Sequence, residues 1–164
     1  MRTLLKNMNA LSWVLFISII SSCGDDYTIE DKNVSGNFVY VTKEFKPTAF
    51  DTQTQAPISA TITMDGTGTL TDLGAISILS SFNYDFITGK GTNFVTNYTG
   101  ATSADSFTSE GTSQRQADGS ILVTETLSNG KGKFSKISGS GETKVIIKQD
   151  NSGGTGVVQW KVTF

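Results

Sequence analysis

Few residues in this chain are equipped for acid–base or covalent chemistry, and what is missing narrows the field first. There is no histidine, and Cys23 is the sole cysteine. Without imidazole the commonest general base, the serine triad and the usual zinc sites are excluded, and a single thiol forms no internal disulfide. Asp150-Asn151-Ser152-Gly153-Gly154 and Asp65-Gly66 lack the alternating oxygen ligands of a calcium loop and read as turns, so neither metal nor cofactor is expected. Glu125 is the carboxylate with an awkward address, because it shares parity with Ile121, Val123 and Leu127. On an apolar face it would be an inward-pointing acid with a raised pKa. The cost of burying a charge favours the alternative, in which Leu122, Thr124 and Thr126 face inward or Glu125 stands at a barrel mouth. Tyr40, Phe82, Tyr84, Phe86 and Trp160 either line a pocket for an apolar or aromatic ligand or fill the interior completely.

The elements that must position these side chains are strands. From Asn37 onward the hydrophobic period is two, and no window carries an amphipathic helix. Phe38-Val39-Tyr40-Val41 opens the first strand, and Ile58, Ala60, Ile62 and Met64 alternate with Ser59, Thr61 and Thr63 in the second. Ile76 to Phe86 continues the alternation, and further strands are predicted over 93–99, 106–115, 120–127, 142–149 and 157–164. They are separated by Thr88-Gly89-Lys90-Gly91, Ala117-Asp118-Gly119, Ser128-Asn129-Gly130 and Asn151-Ser152-Gly153-Gly154. Asp-Gly and Asn-Gly supply the positive φ angles of tight hairpins. Roughly eight strands with short connections predict an all-β, antiparallel, meandering fold, and closure into a barrel removes the two edges an open sheet must protect. The last strand, with Val158, Trp160, Val162 and Phe164 on one face, would close it by pairing with the first.

The amino-terminal segment has a different character. Arg2 and Lys6 precede the apolar run Leu11 to Ile20, which is too short to span a bilayer stably, and small residues follow before Cys23. Ile20-Ser21-Ser22-Cys23 resembles the lipobox of bacterial lipoproteins. The resemblance implies a signal peptide over 1–22 and a thioether-linked diacylglycerol on Cys23; the polar, acidic stretch that follows reads as a tether, 23–36, ahead of the β-barrel domain over 37–164. Asp25 and Asp26 just beyond the cysteine resemble the surface-export signal of some such lipoproteins. The implied address is the bacterial cell envelope, as an outer-membrane lipoprotein displayed at the surface, with the acylated Cys23 as the membrane contact. Loss of Arg2 and Lys6 with a leader takes the formal charge from −2 to −4, which disfavours a polyanionic partner such as nucleic acid.

Two glycine-rich segments carry a second resemblance. Gly66-Thr67-Gly68-Thr69-Leu70-Thr71-Asp72-Leu73-Gly74 resembles a turn and strand of allene oxide cyclase-like, calycin-type barrels. The segment from Asn129-Gly130-Lys131-Gly132-Lys133-Phe134 to Ile137-Ser138-Gly139-Ser140-Gly141 is similar to another of their motifs, shared with dirigent proteins, and Arg115 to Ser120 resembles their intervening hairpin. The resemblance implies a fold rather than a chemistry: Asp72 stands where many relatives have histidine, Lys131 replaces a threonine, and no catalytic residue carries over. The glycines at 130, 132, 139 and 141 also suit a sheet that must bend as it closes, with Phe134 and Ile137 as inward anchors.

Together these features lead to a lipid-anchored, non-enzymatic barrel that binds a small apolar ligand, with Tyr40, Phe82, Tyr84, Glu125 and Trp160 as candidate binding residues. The alternatives are a filled structural barrel that contacts an envelope protein or a glycan, and a cyclase- or isomerase-type enzyme using Glu125 with a tyrosine such as Tyr84.

Overall fold

The computed structural model describes residues 31–164, so the expected signal peptide and Cys23 lie outside the described residues. Eight antiparallel strands run in sequence order: β1 (Asp31–Phe50), β2 (Pro57–Leu70), β3 (Gly74–Asp85), β4 (Lys90–Thr99), β5 (Ser106–Arg115), β6 (Ile121–Lys131), β7 (Ser138–Ile147) and β8 (Gly153–Thr163). Each pairs with its neighbours, and β8 returns to β1 from Asp31↔Thr163 to Val41↔Gly153, closing the barrel. The meander follows from period-two alternation punctuated by turn residues. Gly119, with φ of 85°, makes the Asp118-Gly119 hairpin, closed by its N–H to the Gln116 carbonyl.

Two expectations about the chain's course change. Strand β1 starts at Asp31, so residues 31–36, read as tether, are strand paired with β8 and carry the buried Val34. The expected Asn129-Gly130 hairpin is absent: β6 continues to Lys131, with Asn129 at φ of 55°, and a 3-10 turn over Gly132–Phe134 makes the connection. That detour swings Phe134 and Ile137 into the barrel end, where both are buried.

Inside, the largest rings lie over glycines. Tyr40 pairs with Gly66 on one side and Gly154 on the other, and Phe38 with Gly68 and Gly156. A Cβ would overlap Phe38 at Gly68 and Gly156 and Tyr40 at Gly154, and at Gly66 it would overlap the Val39 carbonyl and crowd Tyr40. Cross-strand pairing of an aromatic residue with glycine thus lets a narrow barrel hold large side chains.

The two ends differ. Leu70, Leu73, Phe107, Phe134, Ile137 and Val162, each at most 4% exposed, seal the end at which β1 begins. At the other end β1 runs on past Val41, its last partner on β8, and residues 42–50, with a bulge between Thr42 and Glu44, pair with β2 alone and form one wall of an opening.

Candidate functional site: the open-end cavity and the buried carboxylate

The open half holds a cavity of about 860 Å³. Its wall comes from the inward positions of nearly every strand: Tyr40 on β1, Met64 on β2, Phe82 and Tyr84 on β3, Phe94 on β4, Val123 on β6 and Val145 on β7. The rings pack on one another, Phe82 stacked on Phe94 at 5.0 Å and Tyr84 edge-on to Phe86 at 5.2 Å, while Phe45 and Phe86 are 47% and 41% exposed at the rim. Burial pushes the Tyr40 hydroxyl up to about 12 and raises that of Tyr84, an effect Arg115 partly offsets. Both phenols are therefore neutral donors at ordinary pH.

Polar groups at this end fall into two sets. Each of the four loops there carries an aspartate that accepts backbone N–H groups of its own turn: Asp51 from Gln53 and Thr54, Asp85 from Ile87 and Thr88, Asp118 from Ser120, Asp150 from Ser152. These bonds hold all four carboxyls below the usual range, aided for Asp118 above all by Lys144. None of the four lines the cavity, whereas Arg115 and Lys148 do. Ser113, one inward position deeper than Arg115 on β5, is 5% exposed, and its Oγ is the one buried side-chain polar atom without a hydrogen-bond partner among the described residues.

The sealed half contains the opposite arrangement. Contrary to the expectation of an outward or mouth position, Glu125 points inward and is 2% exposed, while Thr124 and Thr126 face solvent and Leu122 is half-buried. What makes this burial tolerable is a full set of donors. Oε2 accepts from Tyr98 at 3.1 Å and from Ser109, and Oε1 accepts from Thr143 at 2.6 Å and from Trp160 Nε1 at 3.1 Å. Four strands thereby converge on one carboxylate, and a buried acceptor so saturated costs far less than an unpaired one. Desolvation drives the Tyr98 hydroxyl well above its ordinary range, with the Glu125 charge adding to the effect. Around them Tyr98 stacks on Phe107 at 4.6 Å and meets Trp160 edge-on at 5.3 Å.

Of the candidate binding residues, then, Tyr40, Phe82 and Tyr84 line the cavity, and Glu125 and Trp160 belong to the packed half behind it. Trp160 borders only a shallow groove between β1, β7 and β8. Sequence reasoning missed Ser113 and Arg115, although their parity with Phe107 and Ser109 would have set them inside. No group of three or more metal-ligating side chains occurs among the described residues, and Ser113 has no base within hydrogen-bond reach. The arrangement can enclose a molecule, orient it through one hydroxyl and attract negative charge. Comparison with protein-family models, with curated proteins and with solved structures finds no match.

Proposed function

We propose that this protein is a lipid-anchored barrel of the bacterial envelope that holds a small apolar ligand in its open half. The observation that carries the reading is the cavity: about 860 Å³ lies within the roughly 300–1,000 Å³ of small-molecule sites, and its walls are aromatic and aliphatic. An eight-stranded barrel has room for one small ligand at most, so a filled sealed half beside an unfilled open half suits one molecule entering from one side. The lipobox resemblance at Cys23 supports the anchor, and the allene oxide cyclase-like motifs support the calycin-type comparison. The enzyme reading has less support, because every oxygen of Glu125 is occupied by donors and the carboxylate does not line the cavity. A surface that contacts another envelope component is the second reading, favoured by outward-facing Val39, Val41 and Ile146, each more than half exposed.

Binding of the neutral dye Nile red, read by its fluorescence, tests the cavity. The full chain should bind it, and Val145→Trp, which fills the wall, should abolish binding while keeping the β-sheet circular dichroism. No emission change with the unaltered chain would sink the ligand-binding reading. Cys23→Ala tests the anchor: the variant should leave the detergent phase in phase separation, and full retention there would refute acylation.

A further inference from the structure

The ligand's charge and shape are also written into the cavity. Its only charged lining residues are Arg115 and Lys148. Neither joins an ion pair among the described residues, while lysines elsewhere do, Lys144 with Asp118 at 2.8 Å and Lys161 with Asp31 at 2.9 Å. The four aspartates of the surrounding loops are committed to their turns. The positive charge of Lys148 is felt by the capped Asp150 and that of Arg115 by the hydroxyl of Tyr84. Deeper in the same wall lies the partnerless hydroxyl of Ser113, and successive inward positions on β5 set it roughly 7 Å from Arg115 along the strand. The rings of Tyr40, Phe82, Tyr84 and Phe94 line the same cavity, with Phe45 and Phe86 at the rim.

We propose that the cavity is a receptor for a flat aromatic carboxylate, its ring among these aromatics, its carboxylate at Arg115 and Lys148, and a hydroxyl or carbonyl substituent at Ser113. This rests on the reading of the cavity as a ligand site. Three physical reasons select that class. Aromatic walls favour offset-stacked and edge-on partners. A guanidinium beside a phenol O–H gives a carboxylate charge-assisted hydrogen bonds. An unpaired buried hydroxyl rewards a ligand that supplies its partner, since leaving it unmade is the costly state. A saturated chain would use the volume but neither the stacking surface nor the hydroxyl.

The test titrates the full chain with 6-hydroxy-2-naphthoate, 2-naphthoate and the neutral 2-naphthalenemethanol by naphthalene fluorescence, with decanoate as competitor. The carboxylates should bind about tenfold tighter than the alcohol, the value expected of one good charged hydrogen bond. Arg115→Gln combined with Lys148→Gln should erase that preference. Ser113→Ala should weaken 6-hydroxy-2-naphthoate several-fold and leave 2-naphthoate unchanged. Arg115 is exposed and Lys148 lies in a loop, so these variants keep the fold, with melting curves to verify it. Equal affinity for the alcohol and the carboxylates, or decanoate displacing them at lower concentration than they bind, would overturn the proposal. If Nile red binds and no naphthalene compound does, the aromatic-anion class fails while the cavity remains a ligand site; if Nile red also fails, the ligand-binding reading itself is lost.

Discussion

The two halves of the barrel interior are built from the same eight strands at the same parity, yet they treat polar groups in opposite ways. In the sealed half a carboxylate is fully buried and receives four donors, among rings that stack at 4.6 Å and meet edge-on at 5.3 Å. In the open half a single hydroxyl is buried with no partner, beside about 860 Å³ of space. Protein interiors are close-packed and their polar groups paired, so the first half is an ordinary core with an unusual centrepiece. The second departs on both counts in one place. The difference shows that burial of a charged residue is a poor guide to function when its partners are complete, and that an uncharged, uncompleted residue can mark the working surface better.

The comparison breaks first at Glu125. Glu125→Ala removes the acceptor for Tyr98, Ser109, Thr143 and Trp160 together and should destabilise the domain by about 4 kcal/mol, the range for dismantling a buried charged network. Urea denaturation followed by Trp160 fluorescence measures it, and a loss under 1 kcal/mol would mean that the donors re-pair among themselves. A phenylalanine from each half comes next. Phe107→Ala, at a site 1% exposed in the sealed half, should cost about 4 kcal/mol, while Phe82→Ala borders existing space and should cost about 2 kcal/mol, because the penalty grows with the cavity newly made. Equal costs would erase the distinction between a packed and an unpacked half.

Alkaline titration sharpens the comparison. Tyr40, Tyr84 and Tyr98 all have hydroxyl pKa values raised above 10.0, Tyr40 to about 12. The unfolded chain releases these protons near pH 10 while the folded chain keeps them, so the stability they represent is fully present below pH 10 and declines as pH rises toward 12. Denaturation midpoints should fall over that window, and phenolate absorbance from the folded state should lag behind that of the urea-unfolded protein. Coincident curves would show that water reaches all three rings. The smallest effect belongs to Ser113: Ser113→Ala removes an unpaired buried hydroxyl and should raise stability by about 1 kcal/mol, where a loss of that size would reveal a hydrogen bond for Oγ.

Much of the fold is legible in the sequence because each strand declares itself locally. Ile76, Ile78, Phe82 and Tyr84 keep one parity, interrupted only by the small Ser80, and Asp118-Gly119 turns where its φ preference says it should. Closure follows from the apolar face of the last strand. Local pattern fails where the deciding partner is distant. Residues 31–36 offer one apolar side chain, Val34, and become strand only because β8 lies beside them. Glu125 lies on the apolar parity, but the four donors that make burial tolerable come from four other strands, the farthest 35 residues away. Ser113 shares its parity with Phe107, but in a serine- and threonine-rich strand that one apolar residue is the sole local cue, and the lack of a partner for the hydroxyl is decided by the other strands. Tyr40, Phe82 and Tyr84 are legible as inward rings from their parity, but whether such rings line a space or fill it depends on what the other strands place beside them.

An even number of up-and-down strands has a directional consequence. The first strand begins and the last one ends at the same pole, as the Asp31↔Thr163 pair shows, and that pole is the plugged one. Any leash preceding Asp31 therefore pulls on the plugged pole, and a domain moored through Cys23 would float with its aperture turned toward open water. Cargo would then be exchanged with solution rather than drawn from the bilayer beneath, and a fusion attached at either strand terminus would leave the aperture clear.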